Sequence, residues 1–89
     1  MQVTVHAEKR IRKRFGVKRK AVENVVCQAV KRGKKISEYR GKVKKWYDYE
    51  CATFKAGNNS VIFDGFCFVI QDEIVITAYE VPKHLRSIT

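Results

Sequence analysis

An 89-residue chain has room for one small domain with a modest core, and a 45% hydrophobic content excludes a disordered polymer. No apolar run approaches the length of a membrane span, and charge that begins at His6 and Glu8 leaves no room for a signal-peptide core, so a cytoplasmic protein is expected. The net charge of +10 is lopsided: residues 1–45 carry 16 Lys/Arg against 3 Asp/Glu, a net +13, while residues 46–89 carry 3 against 6, a net −3. A basic half joined to a mildly acidic one predicts a polyanionic partner met from one side, with nucleic acid ahead of a membrane surface and an acidic protein.

In chain order, Gln2-Val3-Thr4-Val5 is short and β-prone, an edge strand leading into a helix. Thr4 is the N-cap candidate, Glu8 places a carboxylate in the first turn, and Gly16 is positioned to end the helix. Between them Ala7, Ile11 and Phe15 recur every four residues as an apolar stripe. His6, Arg10 and Arg14 form a parallel stripe one residue over. An imidazole one turn from one guanidinium and two turns from another is poor for packing and good for holding a phosphate.

The second helix follows after two or three residues, with Ala21, Val22, Val25, Val26, Ala29 and Val30 on one buried face and Gly33 at its end. The pair reads as a helical hairpin. Lys34 to Lys45 is basic and gives no clear period. From Val43 to Phe54 two periods compete: Val43, Trp46, Tyr47, Glu50, Cys51 and Phe54 fit a helix, whereas Tyr47, Tyr49, Cys51 and Thr53 alternate as in a strand. Aromatic and β-branched enrichment tips the expectation to a strand from about Tyr47 to Lys55.

A meander completes the chain. Gly57-Asn58-Asn59-Ser60 is a turn, Val61-Ile62-Phe63 a short strand, and Asp64-Gly65 a two-residue hairpin signal. Phe66 to Ile70 is apolar on both faces, so this strand is central or covered on both sides. Gln71-Asp72-Glu73 turns the chain into Ile74–Tyr79, whose Thr77 should share a face with Val75 and Tyr79. Pro82 ends the sheet, leaving Lys83 to Thr89 as loop. The expected fold is α+β: one domain over residues 1–89, with an N-terminal helical hairpin packed on a C-terminal four-stranded antiparallel sheet. Cys27, Cys51 and Cys67 are odd in number and widely spaced, which predicts buried free thiols rather than disulfides or a metal site. No cofactor is expected.

This order of elements resembles the RelE-like ribonuclease superfamily, which groups barnase, EndoU, colicin and RelE-type folds. The pattern His-Ala-x-x-Arg-x-x-x-Arg (His6, Ala7, Arg10, Arg14) with Ile-Thr-x-Tyr (Ile76, Thr77, Tyr79) resembles a family of short bacterial and phage chains of unassigned function within it. The resemblance implies metal-independent RNA cleavage, in which the ribose 2′-OH attacks the adjacent phosphorus. It casts His6 as base or acid, and Arg10 and Arg14 as ligands of the scissile phosphate. Thr77 and Tyr79 would reach the cleft from the last strand.

Two proton carriers are needed, and His84 lies beyond Pro82, which leaves Tyr79 or Glu80 as partners for His6. Lys9, Lys13, Lys18 and Arg19 extend the basic surface. Lys44 and Lys45, beside Trp46, Tyr47 and Tyr49, make a mix that can stack single-stranded bases. The expected partner is RNA or another nucleic acid, for a toxin-like or phage endoribonuclease. The alternatives are a non-catalytic binding module, or an interaction protein that meets an acidic antitoxin or a host protein.

Overall fold

The computed structural model describes residues 1–50 and 59–89. Helices α1 (Val5–Phe15) and α2 (Arg19–Arg32) follow a two-residue strand β1 (Gln2–Val3). A second two-residue strand β2 (Lys34–Lys35), a 3₁₀ turn (Ile36–Glu38) and helix α3 (Lys42–Glu50) come next. Strands β3 (Val61–Phe63), β4 (Phe66–Gln71) and β5 (Ile74–Glu80) and a short helix α4 (Lys83–Arg86) complete the chain. The sheet has five strands in the order β1-β5-β4-β3-β2. β1 runs parallel to β5 and the other pairings are antiparallel.

The α+β class is as expected; the sheet and its covering are not. The four-stranded antiparallel sheet becomes a mixed one of five: three of its expected strands form β3, β4 and β5, the short N-terminal strand joins one edge as β1, and Lys34–Lys35 adds the other edge as β2. The strand expected from Tyr47 is helix as far as Glu50, and Cys51 to Lys55 lie outside the described residues. Val43 and Tyr47, four apart, are both buried, and Trp46 packs beside them. The 3.6-residue period therefore prevails over the β preference of the aromatics, because α3 has an apolar sheet face to cover. Lys83–Arg86 is helical rather than loop, anchored by the buried Leu85.

Two cores share the sheet. On one face Ala7 and Ile11 of α1 and Val22, Val26 and Ala29 of α2 pack on Phe66, Phe68, Ile70, Val75 and Ala78. On the other, Ile36, Tyr39, Val43, Tyr47, Val81 and Leu85 cover Ile62, Cys67 and Val69. β4 is thus covered on both sides, as its unbroken apolar run predicts. α2 buries a narrower stripe than expected, since Val25 is half-buried and Val30 exposed. Cys67 is buried, Cys27 lies exposed on the outer face of α2, and Cys51 is outside the described residues.

Local signals act where they were read. Thr4 caps α1 by accepting the Ala7 N–H at 3.1 Å, and its hydroxyl donates to the Ile76 carbonyl at 2.9 Å, tying the helix start to β5. Gly16 closes α1 at φ 63°. Asp64 and Gly65, at φ 52° and 71°, form the two-residue turn that pairs Phe63 with Phe66. Among the described residues no helix is long and apolar enough to cross a membrane.

Candidate nucleic-acid interface

α1 lies along β5 because its apolar stripe packs on Val75 and Ala78. The stripe beside it, Arg10 and Arg14, is thereby brought to the C-terminal half of β5. A cleft of about 560 Å³ opens there, lined by Arg10, Lys13, Arg14, Phe66, Ala78 and Glu80. Its walls carry three cations and one carboxylate on an apolar floor.

Both arginines are held by main-chain carbonyls. Arg10 Nη1 donates to the Ala78 carbonyl at 3.2 Å, and its guanidinium lies over the Tyr79 ring, 5.2 Å from the centroid. Beyond β1 this stretch of β5 is a sheet edge, and Arg10 reaches it there. Arg14 Nη2 donates to the Asp64 carbonyl at 2.8 Å, and its Nε lies 3.6 Å from Glu80 Oε1. That Nε is buried and has no hydrogen-bond partner among the described residues. Arg86, on α4, donates its Nε to the Val81 carbonyl at 2.8 Å and brings Nη2 to 3.7 Å from Glu80 Oε2. A rigid fork costs little further ordering when an anion arrives, because its side-chain entropy is already spent.

The other expected site residues fall elsewhere. His6 is exposed on the first turn of α1 and is not among the residues lining the cleft. Thr77 is fully buried and does not reach the cleft. The cause is a bulge in β5: Ile70 pairs with Val75 but Val69 pairs with Thr77, leaving Ile76 as the extra residue. Val75 faces α1, whereas Thr77 follows Val69 to the α3 side, so the two do not share a face. The Thr77 hydroxyl has no hydrogen-bond partner among the described residues. Tyr79 packs against the α3-side core, with Arg10 over its ring.

Of the residues expected to bind nucleic acid, Lys13 lines the cleft and Lys9 is exposed on the same helix. Lys18 is an exposed N-cap without a side-chain cap bond, and Arg19 pairs with Glu8 at 3.4 Å. Lys44 and Lys45 lie on α3, across the sheet from the cleft. Lys44 is engaged by Asp48 at 3.0 Å and sits over the Tyr47 ring. The basic-aromatic mix is therefore divided: Tyr47 is buried, Trp46 half-buried and Tyr49 exposed.

Sequence reading missed Arg86 and gave Glu80 only a minor place. Neither belongs to a local motif, and their convergence on Arg14 depends on the last turn of the chain folding back.

Comparison with protein-family models, with curated proteins and with solved structures finds no match.

Proposed function

We propose that this protein binds single-stranded RNA through the α1–β5 cleft and cleaves it without a metal ion, by attack of the ribose 2′-OH on the adjacent phosphorus. The observation that carries the reading is the buried Nε of Arg14, 3.6 Å from Glu80 and without a hydrogen-bond partner among the described residues. A hydrogen-bond donor without an acceptor, in a cleft with two further cations, suits a phosphate oxygen. Arg10, Lys13 and Arg14 would balance the charge that grows on the phosphorane, and their fixed placement favours the transition state over a mobile array. Glu80, the carboxylate of the cleft, is the group placed to take the 2′-OH proton. The resemblance of His6-Ala7, Arg10 and Arg14 to the RelE-like group supports the same chemistry. It brings with it a cytoplasmic, toxin-like or phage-borne role in which an acidic antitoxin or a host protein could cover the cleft.

A second reading, an RNA-binding protein without turnover, is favoured by one specific observation. Among the described residues Glu80 is the single carboxylate or imidazole lining the cleft, and cleavage needs a second proton carrier for the leaving 5′-oxygen. The test is incubation of labelled single-stranded RNA with the protein in chelator, beside Glu80→Gln and His6→Ala. Products ending in 2′,3′-cyclic phosphate with wild type and His6→Ala, and none with Glu80→Gln, support cleavage with Glu80 as base. Loss in His6→Ala alone moves the proton transfer to the start of α1. Intact but bound RNA with all three selects the second reading.

A further inference from the structure

We infer that Arg14 and Arg86 form a two-guanidinium clamp for one RNA phosphate, and that the Glu80 carboxylate holds its place in the free protein. The inference rests on the proposed RNA-binding cleft and adds to it a residue from the C-terminal helix. Each guanidinium is pinned by one carbonyl, Arg14 by Asp64 and Arg86 by Val81. Each then turns a second nitrogen toward one oxygen of Glu80, at 3.6 Å and 3.7 Å.

Those separations are ion pairs and not hydrogen bonds: a charge-assisted N–H···O contact closes to about 2.7–2.9 Å. The Arg14 Nε is in fact left unsatisfied. A carboxylate is thus too small for the space between the two forks. A tetrahedral phosphate, whose oxygens stand farther apart and carry the same sign of charge, fills it better. The Glu80 side chain is itself 62% exposed, so it can move off the two guanidiniums as the phosphate enters while staying at the mouth of the cleft, within reach of a ribose hydroxyl.

The turn between β3 and β4 fixes the clamp from outside. Gly65 stands against both arginines: a Cβ added there would meet Arg86 Cδ at 3.5 Å and Arg14 Nη2 at 3.6 Å. The Gly65 carbonyl accepts the Val81 N–H at 2.9 Å, which joins the turn to the segment that leads into α4.

The experiment is fluorescence anisotropy of a labelled 2′-O-methyl oligoribonucleotide, which binds but cannot be cleaved, over a series of salt concentrations. Arg86→Gln should bind about tenfold more weakly at low salt, and the slope of log K against log salt should fall by about 0.7, the share of one phosphate contact on a single strand. Arg86→Lys keeps the charge and should keep the slope. Glu80→Gln removes the placeholder and should bind several-fold tighter than wild type. Arg10→Gln serves as the reference for the cleft itself.

Unchanged affinity and slope in Arg86→Gln, with Arg10→Gln weakened, overturns the clamp and leaves the cleft reading standing. No binding by the wild type overturns both. Arg86→Gln also loses its link to Val81, so its fold is checked by circular dichroism. If it does not fold, Glu80→Gln decides: affinity no higher than wild type contradicts a carboxylate that occupies the clamp.

Discussion

Thr4 carries more than its place in the chain suggests. Its hydroxyl accepts from Ala7 and donates to Ile76, and its N–H donates to the Val75 carbonyl at 3.0 Å. One side chain therefore sets where α1 begins and how it lies on β5, which in turn sets where Arg10 and Arg14 emerge. Replacing Thr4 by Ala removes an N-cap worth about 0.5–2 kcal/mol, and the bond to Ile76 besides. The expected outcome is a loss near the upper end of that range in a urea melt, with RNA binding weakened more than at a simple destabilised site. Capping chemistry is local, so Thr4, Gly16 and Asp64-Gly65 are legible from a few residues. The meeting of Arg14, Glu80 and Arg86 is not, because it joins positions far apart through a helix, a strand and a returning tail. Thr77 was misread for a related reason: one extra residue at Ile76 moves every later side chain to the other face, and a bulge leaves no mark in the alternation before it.

Among the elements, α3 and α4 show where pattern reading ran out. Residues 43–50 satisfy both periods, and the choice between them is made by the apolar face of β3 and β4 that a helix can cover and a further strand would leave open. α4 is a single turn held by Leu85, which is 2% exposed, and by the Tyr39 hydroxyl, which donates to the Thr89 carbonyl at 3.1 Å. Leu85→Ala should cost about 2–5 kcal/mol, and should also loosen Arg86. A thermal melt beside the anisotropy assay checks both effects.

Burial, then the nearby Glu38 and Cys67, raise the Tyr39 pKa above its ordinary value. A raised folded value means that the neutral phenol is favoured in the native state. The stability this contributes is complete below about pH 10 and is lost as pH rises through the folded value. Tyr39→Phe should flatten the alkaline limb of stability against pH, read from unfolding midpoints between neutral and strongly basic solution.

At the scale of the whole molecule, charge and shape divide the work. The edge strands β1 and β2 are two residues each, and β2 is Lys34-Lys35, whose charges blunt that edge against a further strand. The excess of cations is spread over α1, α2 and α3, yet the cleft gathers Arg10, Lys13 and Arg14 on one side of the sheet, while Lys44 and Lys45 lie on the other. With Arg86, which the proposed clamp adds to the three cations lining the cleft, four would face a single strand. The expected salt slope of binding is about 3, at about 0.7 per phosphate contact. A slope near zero would mean that recognition does not pass through phosphates.

The measurement that tests the central claim most directly compares two double variants for binding to single-stranded RNA at low salt. Arg10→Ala/Arg14→Ala empties the cleft of two cations, and Lys44→Ala/Lys45→Ala removes the same charge from α3. Loss of binding in the first, with the second close to wild type, is the outcome predicted for an α1–β5 RNA site. Equal loss in both would make binding a matter of net charge, and loss in the second alone would place the RNA on the opposite face of the sheet.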